Sequence, residues 1–274
     1  MGLVGAVGTG ILFSAPEMMV ESGPASILSW VLGGIFYLII SLTYMEMGTL
    51  YPEAGGPARY AYYTHGPLTN LLNAWASMVW YLFIPPIEAI AVAYGINYFT
   101  QNLIMPKSDI PTLLGAAVAA ALILLMVPFN YFGVKVFGVS TTGIGIVKLI
   151  LYLIIPVGLM IAVFLPQNIS SLPGGFMPYG AAAMFTAIPL AMFAFGGTRV
   201  IPDYAEEMRN PQRDLPLAVL FVVIGQTLIY VLFAVAYVVS VNWSVFGVKP
   251  GDWTDLKPIA SATIQSYSWL VSTG

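Results

Sequence analysis

Gly8-Thr9-Gly10-Ile11-Leu12-Phe13 lies inside an apolar run from Gly2 to Met19 and breaks it. Two glycines in three residues weaken a helix, and an interruption inside lipid exposes backbone groups that hydrocarbon cannot satisfy. The run is otherwise long enough to cross a bilayer core, which takes about 20 apolar residues for about 30 Å. Outward from it, six further runs follow near Ile27–Leu50, Leu71–Phe99, Leu113–Tyr131, Gly143–Leu165, Ala181–Ile201 and Leu217–Val241. The last stretch, Ile259–Gly274, is apolar enough to begin an eighth span and stops short of one. The runs are continuous and do not alternate at period two, so they predict helices and not a barrel. The expected fold class is an all-α integral membrane bundle of about seven spans plus the start of an eighth.

Composition agrees. The 274 residues are 59% hydrophobic and 8% charged, against about 25% charged residues in soluble domains. Without Cys and with one His, the chain has no disulfide, thiolate or multi-histidine metal chemistry, and no cofactor is expected. A net charge of -3 offers no basic surface for phosphates, so nucleic acid is not an expected partner. Met1–Met19 lacks the basic n-region and small-residue cleavage site of a signal peptide and is kept as a span. Lys and Arg divide weakly between the two sets of loops. Arg59, Lys135, Arg209 and Arg213 are on one side, and Lys107, Lys249 and Lys257 on the other. The bias favours the Arg209 side as cytoplasmic and puts Trp243 and Trp253 at or beyond the outer interface.

A second defect matches the first. In the sixth run, Phe193-Ala194-Phe195-Gly196-Gly197-Thr198-Arg199 places two glycines within the membrane, with Pro202 following. Interruptions in the first and sixth helices are what a five-plus-five inverted repeat would produce, with half-helix ends converging near the midplane on a substrate. The N–H groups at Gly10, Ile11 and Leu12 are then candidates to hold a carboxylate. The carbonyls at Phe193, Ala194 and Phe195 are candidates to accept from an ammonium. The competing reading is that the glycines mark close helix packing. Gly8-Thr9-Gly10 is not a dinucleotide fingerprint, because the third Gly and a preceding strand are missing.

At this point the residues resemble the amino acid permeases of the amino acid–polyamine–organocation superfamily, which have the leucine-transporter-type inverted-repeat fold. Three motifs carry the resemblance. Gly8-Thr9-Gly10-Ile11-Leu12-Phe13 with Pro16 looks like the broken first helix. Tyr44-Met45-Glu46-Met47 through Tyr51-Pro52-Glu53-Ala54-Gly55-Gly56-Pro57, then Tyr60 and Gly66, is similar to the end of the second helix and the cytoplasmic re-entry. Phe193-Ala194-Phe195-Gly196-Gly197, then Glu206-Glu207-Met208-Arg209-Asn210-Pro211-Gln212-Arg213-Asp214-Leu215-Pro216, looks like the sixth helix and the loop after it. The resemblance implies one transporter domain over 1–274, with a first repeat at about 1–165 and the start of the second at about 178–274. It implies a chain truncated at both ends, short of the last core helices, and not expected to transport as given. The sequence departs from the family at Arg199, where many members carry an acidic or apolar residue.

Among the charged residues within the expected spans, Lys148 and Glu88 are the functional candidates. Lys148, in the fifth, costs about 3 kcal/mol to insert centrally, although snorkelling to the inner interface is open to it. In proton-coupled members of the resembled family, a lysine at this place stands where others hold a sodium ion, which implies that Lys148 carries the coupled proton. Glu88, in the third span after Pro85-Pro86-Ile87, is open to pairing with Arg199 or Lys148, to a proton-coupling role, or to a neutral structural one. Glu46 and Glu53 read as solvated or paired with loop bases. Glu206, Glu207, Arg209 and Arg213 read as a hydrated helix end, His65 as a surface loop residue, and Asn168-Ile169-Ser170 as a chance glycosylation-type triplet. Phe195, beside the sixth-helix defect, is the expected substrate lid; Gly196 and Gly197 complete the expected site.

The expected function is secondary active transport of an amino acid or related amine, proton-coupled, by a multi-pass protein of the plasma membrane. Its partners are then the amino acid, protons and the lipid bilayer. The alternative is another small solute, such as a polyamine or nucleobase, on the same fold, or an inactive fragment. An intramembrane enzyme is a poor fit without a nucleophile–base pair or paired carboxylates, and a channel does not need two matched breaks.

Overall fold

The computed structural model describes residues 2–105, 110–131, 134–170 and 175–240. Its first span is discontinuous: α1 (Gly2–Ala6) ends, Val7-Gly8-Thr9 leave the helix, and α2 (Gly10–Ser22) resumes. Gly23 and Pro24 turn the chain into α3 (Ser26–Leu50), and a left-handed Gly55 then starts the short α4 (Gly56–His65). Next come α5 (Pro67–Thr100), α6 (Leu113–Tyr131) and α7 (Val134–Ala162). The sixth span is α8 (Gly180–Thr186) and α9 (Ile188–Phe195), continued by a 3-10 segment from Gly196 to Glu207. The seventh is α10 (Pro211–Ser240). Among the described residues the only extended pairing is an isolated bridge between Ile104 and Pro111.

Among the described residues five helices are long and apolar enough to cross a membrane: Gly23–Leu50, Pro67–Asn97, Thr142–Ala162, Gly180–Glu207 and Pro211–Ser240; Leu113–Pro128 is a shorter apolar helix. With the broken α1–α2 pair they account for the seven expected spans. The sixth runs past its expected end at Ile201 because the chain keeps winding, in the tighter 3-10 form, through Pro202. The expected start of an eighth span, with Trp243 and Trp253, lies outside the described residues.

The core sits where α2, α3, α9 and α10 meet. Trp30, Phe195 and Tyr230 are fully buried there. Phe195 lies 5.1 Å from Tyr230 and 5.8 Å from Tyr37 between ring centroids, and Trp30 lies 5.2 Å from Tyr230. Such pairs add roughly 0.5–1.5 kcal/mol each beyond area burial. Outward faces stay apolar, as with Leu82 and Ile161, which is the surface lipid requires.

The two ends of the bundle are polar. At one, Glu206 accepts the Ala54 N–H at 2.9 Å, and Arg59 pairs with Glu53 at 2.9 Å while the Tyr63 hydroxyl donates to that carboxylate at 2.7 Å. The hydrogen bond to Glu53 raises the Tyr63 phenol pKa. At the other end, Leu165 N–H donates to Val239 O at 2.7 Å and Asn168 donates to Val238 O at 3.0 Å. Asn168 is buried, so this side chain is spent on joining two segments and not on the surface.

Candidate functional site

The break in the first span is held open by three side chains from two other helices. The Lys148 ammonium, on α7, donates to Val4 O and Val7 O, both at 2.6 Å. One turn on, the Tyr152 hydroxyl donates to Gly8 O at 2.9 Å. From α5, the Glu88 carboxylate accepts the Thr9 N–H, with both oxygens at 3.2 Å. One cation and one hydroxyl thus meet the carbonyls that end the first half-helix and a carboxylate meets an amide that begins the second, the arrangement that helix-end charges favour. The Thr9 hydroxyl is buried without a partner. Lys148 therefore does not snorkel to the interface; its charge is consumed at the break.

Glu88 reaches neither expected partner at ion-pair distance; among the described residues the ion pair formed is Arg59–Glu53. Arg199 instead donates to Ser77 Oγ at 2.7 Å and lies 5.7 Å from the ring centroids of both Trp80 and Tyr81. Asp203, four residues on, accepts from the Tyr81 hydroxyl.

In the sixth span Gly196 and Gly197 do not open the helix; they let it approach its neighbours. A Cβ on Gly197 would stand 2.5 Å from Ala6 O and 2.8 Å from Ala6 Cα, and one on Gly196 would stand 2.6 Å from the Trp80 ring. A Cβ on Gly10 would stand 3.3 Å from Ala194 Cα. The two spans are in backbone contact at their defects, one broken and one overwound. Several groups expected to be free are engaged: Leu12 N–H bonds Thr9 O at 2.8 Å, Gly196 N–H bonds Phe193 O, and Ala194 O accepts from Tyr230 at 3.0 Å. Phe195 is enclosed in the aromatic core, while Phe193 is 44% exposed and 6.1 Å from Trp80. By exposure, Phe193 is the aromatic nearer to what a lid requires.

Gln226 and Tyr230 on α10 are site residues that the sequence reading passed over. Gln226 Nε2 donates to Ala6 O at 2.9 Å and to the Tyr230 hydroxyl at 3.2 Å, and its Oε1 accepts from Thr198 at 2.6 Å. One buried amide therefore ties the first span to the sixth. The signal was present: a fully buried Gln in an apolar helix needs partners, and Tyr230 follows it by one turn.

A helical bundle organised around a discontinuous first span, with a lysine and a glutamate converging on the gap, defines a multi-pass membrane protein with a broken helix at its centre. The chain belongs to the amino acid permease family, whose profile matches residues 1–254. It is similar to an aspartate-proton symporter of Bacillus subtilis (strain 168), 33% identical over 87% of this chain and 46% of that protein. It is also similar to the glutamate/serine transporter AimA of the same organism, 33% identical over 99% of this chain and 52% of that one. The aromatic amino acid transport protein AroP of Escherichia coli O6:H1 is 28% identical over 80% of this chain and 47% of its own. The chain spans about half the length of these curated relatives. All three are transporters by name, which points away from an intramembrane enzyme.

Proposed function

We propose that this chain forms the substrate-holding part of a secondary active transporter that carries an amino acid or related amine across the plasma membrane by alternating access, coupled to protons. The observation that carries the reading is the convergence of Lys148, Tyr152 and Glu88 on the gap at Val7-Gly8-Thr9. Support also comes from the family match and from the printed function of the similar symporter. In this reading the first repeat covers about 1–165 and the second begins at about 178.

The mechanism follows from which groups hold the gap. Protonated Lys148 donates to two carbonyls and fixes α1 against α7; on losing its proton it keeps fewer donors and no charge, and α1 is released. A proton on Lys148 is thereby linked to the position of the half-helix that lines the substrate site. The carboxylate of the amino acid takes backbone N–H groups around Gly8, Thr9, Gly10 and Ile11, and the unpartnered Thr9 hydroxyl is a further donor. The ammonium faces the Phe193–Gly197 side. Glu88, already on the Thr9 amide, competes with the substrate carboxylate unless it takes up a proton, which makes it the second proton-coupling group.

The test is counterflow in proteoliposomes with the full-length protein, using a panel of free amino acids beside their N-acetyl and methyl-ester derivatives. Saturable exchange of free amino acids, with both derivatives rejected, is expected. Equal exchange of the blocked derivatives, or non-saturable flux, would overturn the zwitterion site.

A further inference from the structure

Between the end of α3, α4 and the first turns of α5 lies an open cavity of about 390 Å³. It opens at the end of the bundle that carries Arg59 and Glu206, and Arg199 reaches it from the overwound sixth span. Its lining includes Thr43, Tyr60, His65, Asn73 and Arg199, and no aspartate or glutamate. Arg199 makes no ion pair among the described residues, and its Nε is buried without a partner. Asp203, four residues on, accepts from Tyr81 and is near enough for its charge and that of Arg199 to act on each other, but it makes no ion pair with Arg199 and does not line the cavity. Tyr60 adds a buried hydroxyl that also lacks a partner, and burial together with the charge of Asp203 pushes its phenol up, so it remains a neutral donor. Among the described residues no carboxylate is in contact with the Arg199 guanidinium. Its planar fork is matched to a carboxylate.

We infer that this cavity is a second binding site, distinct from the gap in the first span, and that it takes a small carboxylate anion on the Arg199 guanidinium. The aromatic rings of Trp80 and Tyr81 hold the guanidinium in place. Arg199 stands two residues beyond Gly197 on the same segment, so in the transport reading the cavity lies on the side of the central site that the sixth span leads to. This makes the cavity a station on the inner path, and the inference rests on the transport reading in that respect. The same chemistry also suits a free organic anion.

The experiment uses the purified full-length protein and sodium acetate as probe, at ionic strength held constant with sodium chloride, reading thermal stabilisation against acetate concentration. Saturable stabilisation is expected in the wild type and in Lys148→Ala. In Arg199→Gln the apparent Kd for acetate should rise roughly tenfold, the equivalent of one lost charge-assisted pair. Asn73→Leu, with Arg199 intact, guards against an Arg199 variant that fails to fold and should weaken acetate binding in the same direction. Displacement of acetate by free amino acids assigns the site to the transported solute; displacement only by other carboxylate anions assigns it to a free anion, and both support the site. Acetate binding unchanged in Arg199→Gln and in Asn73→Leu would overturn it. Loss in Lys148→Ala alone would do the same, leaving a single anion site at the gap and the transport reading intact.

Discussion

The Glu88 carboxylate and the Thr9 backbone N–H are joined across two spans, at 3.2 Å to each oxygen. The protein's own anion thus occupies an amide at the place where the carboxylate of an amino acid is expected. An ionised Glu88 stands against a second negative charge there, by at least roughly 1 kcal/mol at contact distances.

Glu88→Gln removes that charge while keeping one acceptor for Thr9. The apparent KM for a zwitterionic substrate at neutral pH should fall about fivefold, and its dependence on pH should flatten. Initial-rate uptake across a pH series checks this, and a KM and pH profile equal to wild type would assign Glu88 to structure alone.

Gln226→Leu cuts the only buried amide that bonds both the first and the sixth span among the described residues. Three interhelical or same-helix bonds at ~0.6 kcal/mol each, the average measured in membrane bundles, make the loss about 2 kcal/mol. Thermal unfolding in detergent should register it. Tyr230→Phe, which removes the donor to Ala194 and one acceptor of Gln226 but leaves the Gln226 bonds to Ala6 and Thr198, should cost less.

Gly197→Ala places a methyl 2.5 Å from a backbone oxygen of Ala6, which cannot swing away as a side-chain end would. A destabilisation of about 1–3 kcal/mol is expected, with substrate affinity falling as the two spans are pushed apart. Gly5→Ala, where a Cβ meets nothing within 4 Å, is the matched control and should behave as wild type. Unfolding and uptake measured side by side on both variants decide the matter.

Much of this was legible in the residues. Seven apolar runs gave the spans because hydropathy over helix length is a strong signal in lipid, and Gly8-Thr9-Gly10 marked a real gap because nothing in hydrocarbon can cheaply repair a helix weakened by two glycines in three residues. The glycines of the sixth span carried the same signature for a different reason. Whether Gly196-Gly197 opens a helix or lets a backbone approach depends on what stands opposite, and Ala6 and Trp80 come from other parts of the sequence. The surroundings of Phe195 are hidden on the same ground: adjacency to the defect says nothing of the packing against Trp30, Tyr37 and Tyr230. Lys148 and Glu88 stood out because charge is rare in a span, whereas Gln226 and Tyr152, neutral and equally engaged, did not.

The central claim is that a proton held on Lys148 is tied to the half-helix lining the substrate site, and one measurement addresses it directly. Uptake of a labelled amino acid into proteoliposomes is followed under an imposed inward pH step, with full-length wild type and Lys148→Ala compared at equal reconstitution. Concentrative uptake by the wild type, and in the variant only equilibration that ignores the pH step, is the predicted result. Accumulation by Lys148→Ala to the wild-type level would contradict it.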